Sequence, residues 1–328
     1  MFDRMNKIKL VFAAATAVIL AGCSQPTGPH LNPLSEEAQA LLAKKGMRQD
    51  QPIFVRVFKE ESELEVWKQK DNGRYYHFKT YPVCNWSGKL GPKLKQGDKQ
   101  APEGFYKVSA RQMNPASSYH LSFNMGYPNA YDRANRRTGN HLMIHGDCKS
   151  RGCYAMTDAL MEEIYILARE SFKGGQENFE IHAYPFRMTN ANLRRHQRNK
   201  WAPFWRDLKR GYDHFQKTKQ PPPVKVCEKR YLVNVAFTNG EDDVDPAGEC
   251  PSYQRLPTEA LPPPPMFQEA KQRKPMQQAA VSGETTGSIT PVEANAGGMG
   301  FASTFRFTPR KPTVAGYAFR LNSKLGAR

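Results

Sequence analysis

A histidine and a cysteine able to do covalent chemistry together stand close in the run His145-Gly146-Asp147-Cys148-Lys149-Ser150-Arg151-Gly152-Cys153. A free thiol titrates near about 8.5, so only a few per cent is thiolate at neutral pH. A histidine within hydrogen-bond reach can take that proton and later return it to a leaving amine. Gly152, lacking a side chain, permits a tight turn that points the amides near Cys153 at a developing oxyanion. The set suits acyl transfer, with Cys153 as nucleophile and His145 as general base. Two other chemistries compete for the same residues. His145, Cys148 and Cys153 offer zinc three ligands but no evident fourth, so neither a metal nor another cofactor is expected. Alternatively, Cys148 and Cys153 can pair in a structural or redox disulfide, which would leave no nucleophile.

These residues need elements to hold them. His141 to Ile144 is strand-like, and a helix begins near Asp158, capped by Thr157 or Asp158, with Leu160, Ile164, Leu167 and Ala168 on one face. From Pro52 the hydrophobic period is two, with Ile53, Val55 and Val57 alternating with Phe54, Arg56 and Phe58. Leu64 and Val66, then Tyr75 to Thr80, Phe105 to Val108, Tyr119 to Phe123 and Phe179 to Tyr184 repeat the strand character between Gly, Pro and Asn clusters. The pattern predicts a mainly β body with a helix just after the motif. The segment from Asn190 to Lys219 is helical, aromatic and basic, and carries Trp201, Phe204, Trp205, Tyr212 and Phe215. Such a mixture can bind single-stranded nucleic acid, yet at helical spacing aromatic residues usually pack a core. A strand-like piece follows at Tyr231 to Phe237. Beyond Leu256 the composition turns to Pro, Gln, Ala, Gly and Thr, which predicts a disordered tail.

The front of the chain fixes the compartment. Arg4, Lys7 and Lys9 precede an apolar run from Leu10 to Ala21, too short for a membrane span of about 20 residues but suited to a signal peptide. Leu20-Ala21-Gly22-Cys23 resembles a bacterial lipobox, in which Cys23 is lipidated and becomes the first mature residue. Ser24 rather than aspartate resembles an outer-membrane address in a Gram-negative cell. The expected organisation is a signal peptide over 1–22, a tether with a short helix over 23–51, a catalytic domain over 52–187, a helical extension with a short strand over 188–255, and the tail over 256–328. Lys plus Arg outnumber Asp plus Glu by 48 to 31, a net charge of +17. In the periplasm, on a lipid-anchored protein, that excess meets acidic peptides or lipid headgroups rather than nucleic acid.

The run from His145 to Cys153 resembles the signature of the YkuD-type L,D-transpeptidases, and Ala101-Pro102-Glu103-Gly104-Phe105 resembles a second element of that family. Cys84-Asn85-Trp86-Ser87-Gly88, LGPKLKQGDKQAPEGFY, NMGYPNAYDRA, HLMIHGDCKSRGCYAMTD, YPFRMTNANLRRH and GYDHF narrow the likeness to the YafK-like branch, from about Pro52 to about Val235. The resemblance implies a β-sandwich with a helix following the catalytic cysteine, and a thioester formed at diaminopimelate in a peptidoglycan peptide stem. It places Cys153 as nucleophile, His145 as base, Ser150 and Gly152 at the turn and oxyanion hole, and Arg151 and Gly146 beside the substrate. Departures are Arg151 where the family usually has histidine, Ala155 where it has arginine or asparagine, and a short loop between base and nucleophile. The branch is linked to hydrolysis of the bond joining diaminopimelate to an attached envelope lipoprotein, so transpeptidase and amidase outcomes both stay open. A catalytically silent lipoprotein that only holds peptidoglycan is the alternative.

With Cys23 lipidated and Cys153 free, four cysteines remain. Cys227 and Cys250 flank the same short strand and are expected to pair. Cys84 and Cys148 fall inside matched motifs and can form the second bridge, or Cys148 can stay free as a resolving thiol.

Overall fold

The computed structural model describes residues 28–238, 240 and 244–258. The signal peptide expected over 1–22, Cys23 and nearly all of the tail expected over 256–328 lie outside these residues.

Two five-stranded sheets face each other. The first has the order β3 (Tyr75–Pro82), β2 (Glu63–Gln69), β1 (Ile53–Phe58), β10 (Asn178–Tyr184), β5 (Gly104–Ser109), antiparallel except where β1 meets β10. The second has the order β4 (Asn85–Trp86), β9 (Tyr154–Ala155), β8 (Met143–His145), β7 (Ser122–Asn124), β6 (Met113–Asn114), with β8 and β9 parallel. The architecture is mainly β, as the periodicity implied, and its two facing sheets are the sandwich that the family resemblance implied. Val55, Val57, Leu64, Val66, Phe179 and Ile181 from the first sheet meet Phe123, Ile144 and Tyr154 from the second in one apolar core.

Among the described residues, five α-helices surround the sheets: α1 (Glu36–Lys44), α2 (Ala130–Ala134), α3 (Asp158–Lys173), α4 (Asn190–Arg195) and α5 (Ala202–Thr218). Thr157 caps α3, accepting from the Leu160 amide at 3.4 Å, and Ile164, Leu167 and Ala168 enter the main core. Within the segment expected as a tether, Ser35 caps α1 by accepting from the Ala38 amide, and Leu34, Ala38, Leu42 and Met47 are buried in the same core.

All six residues of β1 are buried, because the strand has a layer on each side. Phe54, Arg56 and Phe58 face away from the sandwich core and lie under α5, whose Phe204, Trp205, Leu208, Tyr212 and Phe215 are buried. Each such aromatic contributes roughly 1.5–3 kcal/mol by leaving water. The aromatic, basic segment is therefore a packed layer. Arg56 sits among these rings, with its guanidinium 4.7 Å from the Trp67 ring and 5.0 Å from that of Phe215. Its Nη2 pairs with Glu65 at 2.6 Å.

The expected strand Tyr231 to Phe237 is broken at Asn234, whose φ is +57°, into β12 (Arg230–Val233) and β13 (Val235–Phe237). These pair with β11 (Val224–Cys227) and β14 (Tyr253–Arg255) respectively. The Cys227–Cys250 bridge ties the end of β11 to the loop before β14.

Candidate functional site

His145 ends β8, and Cys153 stands one residue before β9. In the parallel ladder Ile144 is opposite Tyr154, and His145 is opposite Ala155. Side chains alternate along a strand, so Met143 and His145 share one face, and continuing the register brings Cys153 opposite Met143. Imidazole and thiol are thus diagonal neighbours, and both line one cavity of about 260 Å³ together with Asn114, Ser117, Ser118, Tyr119, Ser122, His141 and Met143. In the resting geometry the thiol donates to the His141 carbonyl at 3.8 Å rather than to His145. The Met143 amide donates to the sulfur at 3.4 Å.

The imidazole is oriented by its neighbour. His145 Nδ1 lies 2.5 Å from the Gly146 carbonyl oxygen. A carbonyl only accepts, so Nδ1 carries the proton and Nε2 keeps the lone pair that a general base needs. Gly146, a candidate substrate contact, is itself buried. A Cβ there would lie 2.5 Å from an Asp158 carboxylate oxygen, and that oxygen accepts from the Asp147 amide at 2.7 Å. Gly146 therefore supports the imidazole from behind.

The turn before Cys153 is built around Ser150 and Gly152. Ser150 Oγ donates to the Cys153 carbonyl at 2.7 Å, accepts from the Gly152 amide at 3.4 Å, and lies 3.2 Å from Ser87 Oγ. Gly152 has φ +118°, which L side chains rarely adopt, so glycine is required there. Arg151 is exposed at the tip, without an ion-pair partner among the described residues.

Cys148 is bonded to Cys84, with Cα atoms 5.3 Å apart, and Cys153 is the free cysteine among the described residues. That pairing removes Cys148 from the three-ligand zinc set, and it replaces the Cys148–Cys153 bridge. The expected Cys227–Cys250 bridge is formed, and of the two alternatives open for Cys148 the structure has the bridge to Cys84.

Burial dominates the electrostatics. It pushes the His145 pKa down, with the Gly146 carbonyl and Asp147 acting the other way. Burial pushes the Cys153 thiol up, opposed by the Met143 amide and the Lys93 charge. Both shifts favour the neutral thiol and the neutral imidazole at neutral pH, so an attack by this sulfur would require its proton to move.

Sequence reasoning missed the rest of the cavity wall. The residue pattern places Tyr119 in a strand, yet it lies in a loop, 47% exposed, its ring 5.0 Å from the His145 ring. His120 beside it has φ +60°, which ends the strand pattern. The Met143 amide could not have been found from residue type, since any non-proline residue supplies one.

Residues 52–174 match the YkuD family, described as the L,D-transpeptidase catalytic domain. "Putative L,D-transpeptidase YafK" of Escherichia coli K12 is 41% identical over 236 residues, covering 70% of this chain and 91% of that protein. The same values hold for its counterpart in Escherichia coli O157:H7. Among solved structures, the helical cell shape determining protein Pgp2 from Campylobacter jejuni aligns with TM-score 0.33 and 17% identity, covering 57% of this chain and 79% of Pgp2. Bd1075 of Bdellovibrio bacteriovorus aligns with TM-score 0.29 and 21% identity, covering 50% and 60%.

Proposed function

This chain belongs to the YkuD family of L,D-transpeptidase catalytic domains, and from that premise we propose that it is a cysteine acyltransferase working on peptidoglycan peptide stems through a thioester at diaminopimelate. One observation carries the reading. The cysteine left unpaired by the disulfides shares a cavity with a histidine whose Nδ1 is committed to the Gly146 carbonyl, leaving Nε2 as base.

As Cys153 Sγ attacks the carbonyl carbon at the L-centre of diaminopimelate, its proton passes to His145 Nε2. The amide C–N bond then breaks, and the leaving amine takes the proton back from His145, leaving the thioester. The Met143 amide, already aimed at the sulfur, stabilises negative charge there. The turn held by Ser150 and Gly152 presents backbone amides to the oxyanion. An incoming nucleophile then gives its proton to His145 and displaces the sulfur. If that nucleophile is an amine, the outcome is transpeptidation; if it is water, the outcome is hydrolysis, including release of a protein attached to diaminopimelate. Arg151, exposed beside the nucleophile, is a substrate contact in this scheme.

The enzyme is held at the envelope by a lipid on Cys23. The basic n-region and the Leu20–Cys23 run support this anchor, and Ser24 supports an outer-membrane address.

The test is to incubate purified protein with peptidoglycan, digest it, and weigh the fragments. New 3–3 dimers identify a transpeptidase, and release of a lysine-terminated peptide identifies an amidase. Neither product would leave a silent peptidoglycan-holding lipoprotein and overturn the proposal.

A further inference from the structure

Beside the nucleophile's turn lies a second recess of about 260 Å³, between the 89–100 segment and the start of α5. Gln100 connects it to the chemistry. Its side chain spans the recess segment, donating to the Lys89 carbonyl at 2.5 Å and the Gly91 carbonyl at 2.8 Å. Its backbone N and O lie 3.8 and 3.6 Å from where a Cβ on Gly152 would stand. The floor is fixed by buried groups. The Gly91 amide donates to Glu103 at 2.7 Å, and Glu103 pairs with the fully buried Lys59 at 3.0 Å while accepting from Trp205 Nε1 at 2.8 Å. Gly91, at φ +130°, lets the Trp201 indole close against the segment, since a Cβ there would lie 2.5 Å from Trp201 Nε1.

The charges of this recess are unbalanced. Its one carboxylate, Asp98, is already engaged by Lys93 Nζ at 2.5 Å and by the amides of Leu94, Lys95 and Gln100 at 2.8, 3.0 and 3.1 Å. Lys89 and Lys200 are exposed on its wall and have no ion-pair partner among the described residues. Lys200 Nζ lies over the Trp201 ring, 5.2 Å from its centroid. The Trp201 indole N–H has no acceptor among the described residues. Two unpaired ammonium groups and a spare N–H donor around a neutralised carboxylate call for an anion.

We propose that this recess is an accessory subsite for a carboxylate-bearing peptide arm of the substrate, gripped by Lys89 and Lys200, which selects the stem presented to Cys153. The proposal rests on the acyl-transfer reading above, and binding separates the two. The probes are a muropeptide with free carboxylates and its fully amidated counterpart, titrated against full-length Cys153→Ala protein, which cannot turn them over. The free-carboxylate ligand binds at least about tenfold tighter, the scale of one hydrogen bond to a charged group. The added pair Lys89→Gln and Lys200→Gln, both on exposed side chains, erases that preference and leaves the melting temperature unchanged. Equal affinity for the two ligands, or a preference that survives the double substitution, overturns the subsite. Selective binding without any turnover by the wild type would instead count against the acyl-transfer reading alone.

Discussion

At the scale of single side chains, two neutral partners set the pH behaviour of the site. His145 accepts a proton only when it is unprotonated, and burial holds its pKa below the ordinary histidine value of about 6.5. Activity is therefore retained on acidification past that value and is lost as pH falls through the depressed one. The acid limb of kcat/KM should have a midpoint below that of an ordinary histidine, and a midpoint above it would contradict the assignment. Asp147 pushes His145 up, so Asp147→Asn should move the limb further toward acid. Cys153→Ala and His145→Ala should each abolish turnover while shifting the thermal midpoint by no more than about 1 kcal/mol equivalent, since neither empties a large core volume. An acylating carbapenem-type probe should label the wild type at Cys153, checked by peptide mass; adducts elsewhere with Cys153 intact would refute the nucleophile.

At the scale of elements, the catalytic loop is held at both ends. Cys148 is bonded to Cys84 just before β4, its amide donates to the Met156 carbonyl at 3.2 Å, and Asp147 and Cys148 both adopt positive φ. Left-handed backbone costs a non-glycine residue roughly 1–2 kcal/mol, so the loop needs such ties. Replacing Cys84 and Cys148 together by serine should lower stability, by about 4 kcal/mol in the chain-entropy model for a separation of 64 residues. It should also cut kcat below what partial unfolding explains; circular dichroism beside single-turnover rates distinguishes the two. In β2, Lys68 is buried with carbonyl partners at Gln49 and Gln51, and burial brings its pKa down to about 7. Between about pH 7 and the unfolded value of about 10.4 the unfolded chain binds a proton that the folded chain lacks, so Lys68 makes stability rise with pH there. Lys68→Met should lose that slope, its melting temperature falling relative to wild type across the window; parallel curves would contradict the shift. Strands, the α3 cap and the Cys153–His145 pair were legible because period, capping residues and reactive side chains are written in residue types. The Tyr119 loop, the Met143 amide and the core role of α1 were not, since they depend on backbone direction and on distant layers.

Across the whole molecule, the first sheet is covered on its outer face by α5, so the aromatic face of the basic, aromatic segment is buried while most of its lysines and arginines stay exposed. Positive charge on exposed residues such as Arg194, Arg198, Arg206 and Arg210 favours acidic partners and falls off with salt. The proposed anchor belongs to the same scale. Cys23→Ser should move the protein from the membrane fraction to the soluble periplasm, read by fractionation and blotting, because the Leu10–Ala21 run is shorter than a span. A mutant that still sediments with membranes would exclude lipidation as the tether.

The two bridges and one free thiol among the described residues also pose a sorting problem during maturation. Sulfurs that meet in an oxidising space can pair in several ways, and with Cys153 as the proposed nucleophile any pairing that consumes it yields a folded yet inert chain. The yield of working enzyme then depends on reshuffling as well as on synthesis, and a cell lacking disulfide isomerase would accumulate silent protein at normal abundance.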